Sequence, residues 1–530
     1  MIVRQVALRP LTFLTALTIA AFSQAQQNDV PFQRDVYEGI ERNAARIDDR
    51  SLTGLKPVLE SRVDVTGAMG YRVDSTRYFY WLTEKLFRDH LLDVREGDLR
   101  LTLDPLFRFE VGLEQGDATP YADTNRFYQN VRGFRITGDL GPKVSFQTMF
   151  HETQAIMPQY LFRSALAIGA MPSQGRVKFP AVPKMDFGWS QSSLSYSPAR
   201  WINLQLGHGK HFVGHGYRSV LLSDNTIPAP YLQLSLLSNN GRWHYTTWHT
   251  KLEHGVRPDD RLPTGASSES LFWWMRARFD HLGVQLGRVE LGLFESTIFR
   301  NIDEEGIRPF DALELNPVIG VNTAVNGFGG EYKQLVGVDL RIKVVDKAFV
   351  YGQFGTDDPE QERYAWQAGL RCFDVGLKDL NLQLEYNTAV PFMYMDDPVQ
   401  LAYMHAGSPM AHPMGANFSE VVAILEQTFR ERWRIQAKLN LATYHRDRTA
   451  TDNHGSDLDK PDIAMTDDPP LDQELMYLDV NASYLFNPKT NLRFIAGVTR
   501  RDLSNAPDGQ QSTLIHVSVS TALFNRYYDL

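Results

Sequence analysis

The densest concentration of reactive side chains in this 530-residue chain is Gly207-His208-Gly209-Lys210-His211-Phe212-Val213-Gly214-His215-Gly216-Tyr217-Arg218-Ser219, followed by Leu222-Ser223-Asp224-Asn225. Imidazole is the commonest nitrogen ligand for metals. His208, His211 and His215, spaced by three and four residues, would converge on one ion only from a helix. Four glycines in the same stretch make a helix unfavourable, so neither a metal site nor a cofactor is expected. Ser219, Ser223, His215 and Asp224 supply the residue types of a serine hydrolase. They lie too close together on an extended loop to reach triad geometry, and no G-x-S-x-G elbow accompanies them. The chain therefore reads as a non-enzyme. The plainer account of the stretch is a tightly folded loop, its glycines taking positive φ and its histidines and arginine bonding to backbone groups.

Two other segments carry candidate chemistry. In Arg242-Trp243-His244-Tyr245-Thr246-Thr247-Trp248-His249 the aromatic residues fit a strand with rings turned toward lipid. The sharper reading makes Trp243 and Trp248 a platform on which a sugar ring stacks. The stretch 449–472 holds Asp452, Asp457, Asp459, Asp462, Asp467, Asp468 and Asp472 without EF-hand spacing. It reads as a solvated loop, with weak cation binding as the alternative.

The elements that must position these groups follow from periodicity. Near the start, Arg4 and Arg9, an apolar stretch Leu11–Phe22 and Ser23-Gln24-Ala25 form a secretory signal, with cleavage expected after Ala25. Beyond it, no apolar run is long enough for a helical span. From 34 to 49 and from 76 to 89 the pattern is helical, interrupted by Gly54, Pro57 and Gly67. From about residue 98 onward the period is two. Val336, Val338, Leu340, Ile342 and Val344 alternate with Gly337, Asp339, Arg341 and Lys343, and the segments from Leu380 and from Tyr477 repeat the pattern. Strands of ten or more residues with one apolar and one charged face suit a bilayer crossing around a wet lumen. Tight turns are expected at Gly141-Pro142, Ser197-Pro198, Asn239-Asn240-Gly241, His281-Leu282-Gly283, Asp346-Lys347, Arg430-Glu431 and Asn487-Pro488. They alternate strictly with long connections at 153–186, 211–229, 253–268, 295–333, 389–416 and 445–472. The expected architecture is all-β: an antiparallel transmembrane barrel of about 18 strands with a small N-terminal helical periplasmic element. Its divisions are a signal peptide at 1–25, the helical or plug element at 26–97 and the barrel at 98–530. The aromatics Phe524, Tyr527 and Tyr528 after the last strand fit an interfacial girdle. The net charge of -9 speaks against nucleic acid, and Cys372, the single cysteine, permits no internal disulfide.

The run Gly207–Asn225 resembles the signature of the Wzi-like capsule-assembly outer-membrane proteins, especially their Bacteroidota branch, which includes gliding-motility proteins of the RemB type. Leu291-Gly292-Leu293-Phe294-Glu295, Leu315-Asn316-Pro317, Glu385-Tyr386-Asn387, the run Ala411–Phe418 and the ending Leu523–Asp529 extend the resemblance over most of the barrel. The resemblance implies an 18-stranded outer-membrane barrel closed on its periplasmic side by helices, exposing loops that hold surface or capsular polysaccharide. It nominates Lys210, His211, His215, Arg218 and Asp224 as glycan-binding candidates beside Trp243 and Trp248. It gives Gly207, Gly209, Gly214, Gly216, Ser219 and Ser223 an architectural role. The expected partners are polysaccharide, outer-membrane lipid and envelope assembly or motility proteins. Two alternatives stand beside this reading: a gliding-motility or surface-assembly accessory, and a porin-like channel using Asp339, Arg341, Lys343 and Glu385 as lumen charges.

Overall fold

The computed structural model describes residues 27–65, 78–116, 119–254, 274–303, 306–328, 330–449, 451–460, 466–506, 511–521 and 524–530. The expected signal segment, Gly67, Asp462 and most of the 253–268 connection lie outside them.

Eighteen antiparallel strands close into one barrel. In chain order they are β1 Leu99–Gln115, β2 Tyr128–Leu140, β3 Val144–Ile156, β4 Lys184–Ala199, β5 Ile202–Gly209, β6 Ala229–Leu237, β7 Trp243–Glu253, β8 Trp274–Leu286 and β9 Val289–Phe299. The second half comprises β10 Tyr332–Val345, β11 Ala348–Asp358, β12 Arg363–Cys372, β13 Leu380–Ala389, β14 Phe418–Phe429, β15 Trp433–Arg446, β16 Leu471–Asn487, β17 Leu492–Leu503 and β18 Gln511–Ser520. Each strand pairs with its sequence neighbour, and β18 closes on β1 with Ile515 opposite Leu113. Closure leaves no unpaired edge, which a backbone in hydrocarbon cannot tolerate.

The alternation seen in sequence has the polarity of a membrane wall. On β10, Asp339, Arg341 and Lys343 are buried while Val338 and Val344 are exposed. Leu113, Leu206, Leu232, Leu425, Leu441 and Val517 likewise face outward and are exposed. Apolar residues outside and charge inside invert the order of a water-soluble sandwich.

Short connections gather at one rim, at 141–143, 200–201, 238–242, 287–288, 346–347, 373–379, 430–432 and 488–491, and this rim is periplasmic. Three sequence expectations need correction. Ser197-Pro198 lies within the end of β4, and the turn there is Arg200-Trp201. His281-Leu282-Gly283 is not a turn but lies inside β8; the turn is Gly287-Arg288, with Gly287 at φ +61. Gly283 pairs across the sheet with Gly292. A Cβ on Gly292 would come within 1.8 Å of Asp339 Oδ2, so that glycine makes room for the His281–Asp339 hydrogen bond of 2.9 Å rather than for a bend. The alternation is also not strict, because the outer connection 359–362 between β11 and β12 is itself tight.

The helical N-terminal region divides in two. Helix α1, Arg34–Ala44, is rich in good helix formers and sits in the periplasmic mouth of the lumen. There Asp35 pairs with Arg493 at 2.7 Å and with Arg434, Glu38 with Arg371, and Arg42 with Asp374 and Asp379 at 3.0 and 2.9 Å. Helix α2, Trp81–Phe87, lies at the same rim, its Phe87 ring 6.2 Å from that of Phe486 on β16.

Replacing outward-facing Ile515, in the middle of β18, by Arg should cost about 2–4 kcal/mol. Urea unfolding in phospholipid vesicles checks this, and an unchanged midpoint would contradict the lipid-facing assignment of β18.

Candidate functional site

Loop 210–228 leaves β5 at the outer rim and folds down into the lumen instead of projecting from it. Its residues 212–213 form a two-stranded ladder with 55–56 of the N-terminal segment, Leu55 opposite Val213. Lys56 Nζ donates to the Gly214 carbonyl at 2.5 Å and pairs with Glu41 at 3.2 Å. Arg34 of α1 donates to the Gly216 and Tyr217 carbonyls and, at 2.8 Å, to the Tyr527 hydroxyl. A third segment, the tail 524–530, runs up the lumen beside them. The structure thus places Phe524, Tyr527 and Tyr528 inside the barrel, not in a lipid girdle. Asn525, Arg526 and Asp529 share that tail, and their polar groups take partners on the loop and wall.

These segments meet at Arg218. Its guanidinium donates to Glu420 Oε1 at 3.1 Å and lies 3.3 Å from Asp529 Oδ1. Glu420 also accepts from Asn440 at 3.0 Å and contacts His412 at 2.9 Å. Asp529 accepts from Lys438 at 2.8 Å and from the Tyr217 hydroxyl at 2.7 Å. Glu385 takes the backbone N–H groups of Tyr217 and Arg218 at 2.6 and 2.9 Å, and the Tyr351 hydroxyl at 2.8 Å. Burial alone would raise the Asp529 carboxyl, but Arg218 and Lys438 hold it well below the usual carboxylate range.

The other sequence candidates are placed as follows. Lys210 Nζ donates to the carbonyls of Ser173 and Asp224, and its burial lowers its pKa to about 8. The Asp224 carboxylate accepts from Tyr527 at 2.5 Å and Asn525 at 2.9 Å. His211 lies between Trp248, ring centroids 4.6 Å apart, and Gln233, which it meets at 2.8 Å; burial pushes its pKa down to about 4. His215, fully buried, faces Glu290 and Asp339, each at 3.8 Å. Trp248 points into the lumen, whereas Trp243, an odd number of residues away on β7, is exposed at the periplasmic end of the wall. The two tryptophans therefore do not share a face. Ser223 donates to the Met410 and Ala411 carbonyls, so Ser223 and His215 are not brought together. Gly214, at φ +114, is the position where glycine is required: a Cβ there would meet Gln353 Nε2 at 2.2 Å, the nitrogen that donates to the Val213 carbonyl.

Above the loop, the outer connection 390–417 closes the barrel. Tyr394 and Tyr403 donate to the carbonyls of Val220 and Leu221 at 2.7 and 2.9 Å, and Met393, Met395, Met410 and Met414 belong to one buried apolar cluster with Leu221 and Leu222. Lumen charges that suited a pore are engaged by the plug: Arg341 donates to Thr53 and to the Ser51 carbonyl, and Lys343 to the Arg46 and Asp49 carbonyls. A cavity of about 260 Å³ remains beside α1, lined by Arg434, Arg493, Asp479, Asn481 and His516. Spacing alone does not point to Glu420 and Lys438, which meet Arg218 and the Tyr217 hydroxyl, or to His412 and Asn440, which hold Glu420 from behind. Glu385 reads in sequence as a lumen charge, although Glu385, Asn387 and the 411–418 run are among the pieces resembling the family.

Residues 107–515 match the protein family described as Capsule assembly protein Wzi. The chain belongs to that family. It is accordingly an outer-membrane barrel whose long loops lie at the cell-surface rim. Among solved structures it is similar to the Wzi of Escherichia coli, described as an outer membrane protein involved in group 1 capsule assembly and as a carbohydrate-binding β-barrel. The TM-score is 0.57 at 12% identity, over 93% of this chain and 99% of that one. OpdQ of Pseudomonas aeruginosa gives a TM-score of 0.42 at 10% identity, over 80% and 98%. A BenF-like porin of Pseudomonas fluorescens gives 0.45 at 9% identity, also over 80% and 98%. No curated protein matches the sequence.

Arg218→Met should destabilise the folded barrel by about 3–5 kcal/mol, because it leaves Glu420 and Asp529 buried without their shared cation. Denaturant unfolding measures this, and hydrogen exchange should show the loss centred on 210–228 and the tail. A pH effect follows from His211. Its folded pKa lies below the ordinary 6.5, so its contribution is complete above pH 6.5 and is lost as pH falls toward about 4. Trp248 fluorescence should report that loosening, and His211→Gln should flatten it.

Proposed function

We propose that this protein holds surface polysaccharide at the outer membrane and supports capsule assembly without catalysing a reaction. Its family membership is the observation that carries the reading. A filled lumen supports a binding role over transport: the plug, the 210–228 loop and the tail take up the charges that would line a channel. In this reading Lys210, His211, His215, Arg218, Asp224 and Trp248 serve binding from beneath. They fix the underside of the outer loops, and the glycan meets the loop surface above them. Arg448, Asp467 and Asp468, exposed on the 447–470 connection, are the kind of polar groups such a surface offers.

The experiment is retention of the host's own extracted surface polysaccharide by purified, detergent-solubilised protein, paired with planar-bilayer recording of the same preparation. Saturable binding with background conductance is expected. Replacing Arg448, Asp467 and Asp468 together by alanine should weaken binding roughly tenfold, about 1.4 kcal/mol. Open conductance without binding would overturn the reading in favour of a channel. Neither activity would leave an assembly accessory.

A further inference from the structure

Between β7 and β10 the wall breaks its own rule. Arg278, Asp280, Glu295 and Thr297 alternate with Phe279, His281, Phe294 and Ser296, and His281 bonds Asp339 within the lumen. The charged set therefore points outward, to the side where Leu293 and Val338 face lipid as a cross-strand pair. Yet Arg278, Asp280, Glu295 and Thr297 are each no more than 1% exposed. An ionised group cannot stand in hydrocarbon without partners.

The partners come from the connection between β9 and β10, which folds back down the outside of the barrel. It carries a 3-10 turn, Ala312–Leu315, and helix α3, Val321–Asn326. Glu295 accepts from the Gly320 N–H at 2.6 Å, the Thr323 N–H at 3.0 Å and the Thr323 hydroxyl at 2.6 Å. Arg278 pairs with Asp280 and donates to the Val318 carbonyl at 3.3 Å. Arg276 pairs with Glu314 at 2.8 Å, and His249 meets the Glu314 carbonyl at 2.6 Å. Asn322 donates to Thr297 at 3.3 Å. The segment thus spends its polar groups on the wall. What it turns away is apolar: Ile307 is 74% exposed, Phe310 54%, Leu315 63%, Val318 53% and Val325 62%. A loop bathed in water would hide such residues, whereas here they resume the apolar belt that Leu293 and Val338 carry directly beneath.

We propose that residues 307–326 form a membrane-embedded strap, lying against β7–β10 in place of outer-leaflet lipid and presenting these five side chains to the acyl chains. The occupant of the surface is lipid hydrocarbon. The strap is a bilayer-facing layer, not a glycan-facing loop, and it does not depend on the polysaccharide reading.

The test uses the full barrel in phosphatidylethanolamine–phosphatidylglycerol vesicles, with Cys372→Ser and a single cysteine at Leu315→Cys or Val325→Cys carrying an environment-sensitive fluorophore. Asp467→Cys, on an exposed outer loop, is the reference site. Only protein with the heat-dependent gel mobility of a folded barrel is read. Blue-shifted emission, quenched several-fold more by chain-labelled lipid than at the reference site, is the expected result. Quenching by aqueous iodide as strong as at the reference site would overturn the proposal, since the strap would then stand in water. Protection from both quenchers would also overturn it and show that a second copy or another protein covers the surface.

Discussion

The structure depends on the pairing of buried charge around Arg218. An ionised side chain inside a closed barrel has lost bulk water, and the loss is recovered only through close opposite charges and hydrogen bonds in good geometry. Arg218 recovers it from Glu420 and Asp529, and those carboxylates draw in Asn440, His412, Lys438 and Tyr217. Since Arg218 belongs to a loop, Glu420 and Lys438 to the wall and Asp529 to the tail, one cluster fixes three parts of the chain. Glu385 extends the same logic to the backbone of 217–218, and Arg34 extends it to α1. The outer loops can be ordered because the floor on which they rest is ordered.

Much of this barrel is legible in the sequence, for a plain reason. A strand with lipid on one side and a polar lumen on the other must alternate, as the residues around Asp339, Arg341 and Lys343 do, and neighbouring strands impose no further pattern. What the period conceals is who receives each inward charge. Arg341 and Lys343 read equally well as a pore lining and as anchors for a plug; their actual partners, Thr53 and the Arg46 and Asp49 carbonyls, lie nearly 300 residues away. Glycine misleads in the same way. Gly283 resembles a turn in sequence, but in the barrel it is one of a cross-strand pair beside the His281–Asp339 bond.

The histidine-rich stretch shows how a site can be found and its role still be mistaken for surface chemistry. Its density of polar groups, read alone, suggests contact with something outside. The fold turns those groups inward: His211 stacks on Trp248, Lys210 holds two carbonyls, and Gly214 lets the backbone pass against Gln353. Short-range spacing could exclude a helical metal site and a serine triad, because both require local geometry. It could not reveal Glu420 or Asp529, whose nearness to Arg218 is created only by barrel closure.

The interior of the barrel is filled from both sides of a membrane. Segment 27–65 and the tail reach it through the periplasmic mouth, whereas loop 210–228 descends from the opposite rim. The contact of Arg34 with the Gly216 carbonyl therefore joins chain that never left the periplasm to chain that first had to be carried across. Such a bond can form only after the β5–β6 hairpin has completed its crossing. The packed lumen is thus a physical record of finished translocation, and a barrel halted part-way would present α1 with an unfilled cavity and leave its arginine without a seat.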